Sequence, residues 1–255
     1  MTIPNAATVH APGSIGNFGP GLDVLGCAVT GASDMVTVQL AERGLTVLEP
    51  GAPGLTRDPQ RHAAAVAAAA VLRRAGAKLG LAVSCRKGLP LSGGQGGSAA
   101  SAVAGAIATN HLLGAPLSTS ELLACCLEAE SAVAGRHLDN IAPSLLGGIV
   151  LIRSLDPIEV HPLPVPANLY IVLVRPEQRL ATAASRAVLP AEISRANVVH
   201  QLAQVAAIVD ALHRNDLTLL GAAMDDRIAE PARAPLIPGF AAAKEAAREA
   251  GALGA

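Results

Sequence analysis

The segment Lys87-Gly88-Leu89-Pro90-Leu91-Ser92-Gly93-Gly94-Gln95-Gly96-Gly97-Ser98-Ala99-Ala100 constrains this chain more than any other stretch. It follows a strand-like run and opens onto small residues that read as a helix. Glycines let the backbone turn sharply, so that several N–H groups converge on one anion. The positive end of the following helix dipole adds to that attraction. Phosphate is the obvious guest. Ser98, at the helix start, could cap the helix or place its hydroxyl on a magnesium ion held by phosphates. Three rival readings are weaker. A P-loop needs Gly-Lys-Ser/Thr at its end, and the chain has no such tripeptide. A dinucleotide fingerprint can be forced through Gly94, Gly96 and Ala99, but a capped helix follows Gly114 where a second strand is required. Glycines serving only tight packing are the third.

Around this loop the pattern alternates. Strand-like segments are 34–40, 79–85, 149–152 and 169–174, short, β-branched and flanked by Gly or Pro. Helical patterns cover 60–74, 98–113, 118–133, 194–214, 217–228 and 239–250. Ser118 and Glu121 form a capping box at the head of the third helix. Pro157, Pro162, Pro164 and Pro166 mark a boundary near residue 160. The reading is therefore of two domains, 1–160 and 161–255.

Composition removes several classes of function. Of 255 residues 51% are hydrophobic, enough for one sizeable core or two smaller ones, and too many for disorder. There is no Trp, one Tyr (Tyr170) and two Phe (Phe18, Phe240), so base-stacking recognition of nucleic acid is disfavoured. A net charge of -1 offers no basic footprint for a phosphate backbone. The longest apolar run, 63–72, is too short to span a membrane, and the first residues show no export signal. Cys27, Cys85, Cys125 and Cys126 lack metal-ligand spacing and read as reduced structural thiols of a cytoplasmic protein.

The segment 90–99 resembles the phosphate-binding motif of the GHMP kinases, Pro-x-x-x-Gly-Leu-Gly-Ser-Ser-Ala, with Gln95 for the usual Leu and Gly97 for the first Ser. Three further segments are similar to the homoserine kinase branch of that family: 11–26, from Ala11-Pro12-Gly13 to Leu25-Gly26; 137–148, His137-Leu138-Asp139-Asn140-Ile141-Ala142-Pro143 onward; and Asp226 through Arg233 to Pro238-Gly239. The resemblance runs from about residue 8 to about residue 250 and is more specific than the loop alone. It implies an α+β, two-domain GHMP kinase fold. The N-terminal domain would be like domain 2 of ribosomal protein S5, and the C-terminal domain incomplete and ferredoxin-like. The family's third glycine-rich motif should begin where this sequence ends, at Gly251-Ala252-Leu253-Gly254-Ala255, so the last strands of that domain are expected to be missing.

The resemblance also implies a chemistry: transfer of the ATP γ-phosphate to the hydroxyl of L-homoserine in threonine biosynthesis, with ATP and Mg2+ as cofactors. Lys87, Pro90, Leu91, Ser92, Gly93, Gly94, Gln95, Gly96, Gly97 and Ser98 would hold the nucleotide phosphates, with His62 near the adenine. Ser98 and Glu130 would hold magnesium. Glu128 is the rival ligand, because two residues apart on a helix is about 200° of rotation and both cannot face the ion. Arg186 and Arg233 would clamp the substrate carboxylate, with Thr182 beside Arg186. Asp23 and Asp139 would face its ammonium and hydroxyl end, oriented by Asn17 and Asn140. Asn17, Asp23 and Asp139 are the residues expected closest to the chemistry. Asn17 and Asp23 are also ordinary turn formers in a Gly/Pro-rich stretch. No general base stands out, and a loose transition state demands little activation of the nucleophile. Apolar surface uncovered by missing strands would favour a homodimer. Two other readings stay open: a GHMP kinase for another small alcohol, and a catalytically impaired remnant that still binds nucleotide.

Overall fold

The computed structural model describes residues 5–177, 180 and 182–255. A six-stranded sheet forms its first layer. The strands are β1 (Ala6–Gly16), β2 (Leu25–Ala41), β3 (Leu45–Glu49), β4 (Gly80–Arg86), β5 (Ile149–Leu155) and β6 (Ile158–Leu163). Their order is β3-β4-β2-β5-β6, with β1 also paired to β2. Only the β3–β4 pair is parallel. The long β2 is the hub. Its start is flanked by β5 and the end of β1, and its later half by β4 and the start of β1. A register shift between Pro12 and Ser14 bends β1 between those two pairings.

Helices α1 (Ala63–Arg74), α2 (Gly97–Leu112), α3 (Thr119–Val133) and α4 (Ile141–Leu146) form the second layer. α2 packs on β1 and β2 and against α1, α3 and α4. It is buried almost all round, which explains its lack of a polar face. Its alanine bias has a geometric purpose. A Cβ on Gly105 would lie 2.5 Å from the Ala64 carbonyl oxygen, so only small residues let α1 and α2 approach this closely. α3 opens with the expected capping box: Ser118 Oγ accepts from the Glu121 N–H, and the Ser118 N–H donates to Glu121 Oε2 at 2.8 Å.

A second apolar cluster lies towards the C-terminal helices. Phe18, Leu25, Cys27 and Ile149 meet Ile208, Ala211 and Leu212 of α6 (Arg195–Arg214) and Leu220 of α7 (Leu217–Ala222). The remaining elements are α5 (Thr182–Ala187), α8 (Ala229–Arg233), a 3-10 turn (Ala234–Leu236) and α9 (Phe240–Glu249).

Several sequence expectations need correction. The run 169–174 joins no ladder among the described residues, and Tyr170, Val172 and Val174 are 79–89% exposed. Its β-branched composition supplies strand propensity, but pairing decides whether a strand forms. The proline-rich stretch 157–166 contains β6, which carries Pro162 on the sheet edge, where a missing N–H is tolerated. The helix expected over 217–228 breaks after Ala222, and Asp226 restarts it as α8. β1, β3, α4 and α5 were not anticipated. All four cysteines are buried and free, and burial pushes the Cys27 thiol up to about 11. No helix among the described residues is long and apolar enough to cross a membrane.

Candidate active site

The glycine-rich loop leaves the end of β4 and returns into α2. Ser92, Gly94 and Gly96 take left-handed backbone conformations, with φ of 51°, 71° and 62°. Gly96 stands at the N-cap of α2 and makes no side-chain cap, so the first N–H groups of the helix point into the loop's concavity. The loop is tied to β1 by the Ser14 N–H, which donates to the Gln95 carbonyl at 3.2 Å.

Facing it is a polar wall built from two distant stretches. After β1 the chain turns through Asn17 and Phe18 with φ of 68° and 42° and leaves the turn at Asp23 with φ of 59°. Asn17 Oδ1 accepts from the Asp23 N–H at 3.2 Å, while the Asn17 N–H donates to Asp139 Oδ2 at 3.1 Å. His137 Nδ1 lies 3.1 Å from the other oxygen, Asp139 Oδ1. Ser14 Oγ donates to Asn140 Oδ1 at 3.0 Å. The two walls touch: a Cβ on Gly96 would lie 2.8 Å from Asn140 Oδ1 and closer still to Ser14 Oγ. Gly96 is thus required twice, by its φ and by its neighbours.

Glu130, on α3, reaches the start of α2, where Ser98 Oγ donates to Glu130 Oε1 at 3.3 Å. Glu130 is buried, and its Oε2 has no partner among the described residues. Burial pushes its carboxyl above the ordinary range, opposed by His137 and by the Ser98 hydroxyl. A hydroxyl and a carboxylate with a spare oxygen are hard donors that fit Mg2+. Glu128 faces elsewhere, in an exposed pair with Arg73 at 2.5 Å. Burial disfavours a charged His137, but the adjoining Asp139 carboxylate outweighs it and the net shift is upward. Asp23, His137 and Asp139 each bring a potential ligand atom within 4.8 Å of the others. Their oxygens are already engaged by Arg186, Asn17 and His137, which suits a shared acidic pocket better than a metal cage.

Arg186, on α5, grips Asp23 bidentately, Nη2 to Oδ1 at 2.5 Å and Nη1 to Oδ2 at 3.1 Å. Its Nε is buried and has no partner among the described residues. The Asp23 contact holds its pKa up. Arg233, on α8, donates through Nε to the Ser185 carbonyl at 3.0 Å. Burial first, and then Arg186, pushes its pKa down. Two neighbouring guanidiniums have the charge and geometry to receive an anion. Asp226 fixes α8 by accepting from the N–H groups of Ile228, Ala229 and Glu230 at 2.8–3.1 Å. Gln201 bridges Asp226 to the Pro20 carbonyl, joining this arm to the turn that holds Asp23.

These groups share one cavity of about 1010 Å³, at the upper end of small-molecule sites. Asn17, His62, Pro90 to Ser98, Glu130, Asp139, Asn140, Arg186 and Arg233 all line it. Asp23 borders it through Arg186. His62 is half-free: Nε2 meets the Pro50 carbonyl at 3.1 Å, Nδ1 has no partner, and burial lowers its pKa. Lys87 departs from its expected role. Its side chain lines the cavity, but its ammonium turns inward to Asp34, Gly97 and Ser101. The Thr182 side chain lies outside the described residues. Ser14, Asp34, Ser101, Arg175 and Asp226 were missed. Ser14 and Asp226 lay inside segments that resemble the family but were given no role, and Asp34, Ser101 and Arg175 carried no signal.

Comparison with known proteins decides the ancestry. Residues 62–148 match the family model for the GHMP kinases N terminal domain, and residues 208–255 that for the GHMP kinases C terminal. The homoserine kinase of Arabidopsis thaliana is 43% identical over 254 residues, covering 96% of this chain and 69% of the relative. That of Chloroherpeton thalassium is 40% identical, covering 97% and 82%. The chain belongs to the GHMP kinases, in the homoserine kinase branch. The crystal structure of homoserine kinase from Cytophaga hutchinsonii superposes on it with a TM-score of 0.95 at 39% identity, covering 100% of this chain and 82% of that one. Mevalonate kinase of L. major shares the GHMP fold at a TM-score of 0.68 and 18% identity. The GHMP kinase fold read from the motifs is therefore the fold of this chain.

Proposed function

We propose that this protein transfers the γ-phosphate of ATP to the side-chain hydroxyl of L-homoserine, giving O-phospho-L-homoserine for threonine biosynthesis in the cytoplasm. One observation carries the reading: the glycine-rich loop, Arg186 and Arg233 line one cavity, and the loop meets the wall of Asn17, Asp139 and Asn140 where Gly96 packs on Asn140. The loop N–H groups and the α2 dipole receive the phosphates. Arg186 and Arg233 take the amino acid's carboxylate, and Asp23 its ammonium. Asn17 and Asp139 orient the hydroxyl in line with the γ-phosphate. His137, 3.1 Å from Asp139 Oδ1 through Nδ1, holds that carboxylate in place. Mg2+, held by Ser98 and Glu130, would neutralise charge on the phosphates. Positioning and charge balance suffice for a loose phosphoryl transfer. The domains divide near residue 160, and two copies of the chain form a homodimer.

The test is ADP release on this chain with L-homoserine, with and without magnesium. Homoserine- and magnesium-dependent turnover is the expected result. Turnover with another small alcohol in its place would overturn the substrate, and silence with ATP still bound would leave a nucleotide-binding remnant.

A further inference from the structure

The mechanism above leaves one buried charge pair unused. Asp34 sits in the middle of β2 and is fully buried. Its Oδ1 accepts from the Gly88 and Leu89 N–H groups, both at 3.1 Å. Its Oδ2 accepts from Ser101 Oγ at 2.7 Å and from the Lys87 ammonium. That ammonium also donates to the Gly97 carbonyl at 2.7 Å and to Ser101 Oγ at 3.0 Å. All three of its protons thus have partners, so Lys87 does not reach into the loop as a phosphate ligand.

The positions of these donors matter more than their number. Lys87, Gly88 and Leu89 are the last residues before the glycine-rich loop, and Gly97 and Ser101 belong to the first turns of the helix after it. Both feet of the loop therefore stand on one carboxylate. Between them run Gly93, Gly94 and Gly96, a stretch whose backbone has more freedom to lose than any other. A loop that must converge several N–H groups on a polyphosphate binds it best when that freedom is lost beforehand.

We propose that Asp34 is a positioning residue for the nucleotide, acting through Lys87 and Ser101 to hold the phosphate loop in its binding shape. The inference rests on the reading of this loop as the ATP phosphate site. It predicts a defect centred on the phosphates, since neither Asp34 nor Ser101 bonds to His62 among the described residues, and Lys87 nears it only through its backbone N–H, which donates to the Gly51 carbonyl.

The experiment compares the calorimetric affinities of ATP and adenosine for the wild-type chain and for Asp34→Asn. Asn keeps an acceptor for the Gly88 and Leu89 N–H groups but faces Lys87 with an amide N–H. ATP affinity should fall about tenfold or more, as expected for lost preorganisation, with adenosine affinity unchanged. In turnover, the KM for ATP should rise while the KM for homoserine stays put. Should Asp34→Asn fail to fold, the paired change Asp34→Asn with Lys87→Met removes both buried charges, and Ser101→Ala removes only the bridging hydroxyl. Each should show the same selective loss, smaller for Ser101→Ala. Wild-type ATP affinity in a folded variant, or an equal fall for ATP and adenosine, would overturn the inference. A wild-type chain that binds ATP no better than adenosine would instead overturn the reading of the loop.

Discussion

Two acid–base pairs flank the same cavity and are built for opposite purposes. Lys87–Asp34 has side chains 8% and 0% exposed, and every polar atom of the pair has a partner. Arg186–Asp23 is 30% and 41% exposed, joins residues far apart in sequence, and leaves Arg186 Nε without a partner among the described residues, beside a second guanidinium. A closed, dry pair cannot exchange partners without exposing a bare charge to the core. A half-wet pair can, because water and ligand compete for it. The first is therefore scaffold. The second resembles the substrate it awaits: a carboxylate and a cation side by side, each replaceable by the opposite end of an amino-acid zwitterion.

The comparison can be broken at either end. The largest effect should come from Lys87→Met, which strands the Asp34 carboxylate in the core. Denaturant unfolding should show a loss of about 3–5 kcal/mol. A loss below about 1 kcal/mol, the range of exposed pairs, would erase the distinction. Arg186→Met should cost no more than about 1 kcal/mol of stability, given its exposure. In steady-state kinetics, however, it should raise the KM for homoserine about 30-fold, as expected for losing one partner of a recognised charge.

A pH series sharpens the contrast at the metal seat. The Glu130 carboxyl is raised by burial above its ordinary 4.5. On acidification it therefore takes up its proton earlier than a surface glutamate. Magnesium affinity, followed by calorimetry, should start to fall at a pH above the ordinary carboxylate range, and Glu130→Gln should abolish that dependence. The stability sign is opposite to that of a salt-bridged acid. The folded state holds this proton more tightly than the unfolded chain, so ionised Glu130 costs stability above its raised pKa, and acid relieves the cost. The smallest effect belongs to Glu128→Gln. Its exposed pair with Arg73 should leave stability within about 0.5 kcal/mol and turnover unaltered.

The two pairs also differ in how legible they were. Asp23 stands in a segment that resembles a known family, and the same resemblance assigned Arg186 to its site. Asp34 stands in a strand pattern, where an acidic residue reads as solvent-facing. Its burial follows from a pairing between β2 and β4 that local pattern does not encode. The same limit explains the elements. α3 was legible because its capping box is local. β1 was not, because Pro12 and Gly13 interrupt its pattern and its ladder depends on β2. At 169–174 the error ran the other way: local propensity was right for a strand, and the neighbour needed to complete it is absent from the described residues.

That segment has a practical consequence for anyone watching the protein in solution. The chain has no Trp and a single Tyr, and Tyr170 is 89% exposed in the run that leads to Arg175 at the cavity wall. Tyrosine emission therefore comes from one ring outside the core. It reports on the surroundings of that run, such as ligand arrival or a second chain laid against it, and is nearly blind to whether the alanine-packed interior is intact.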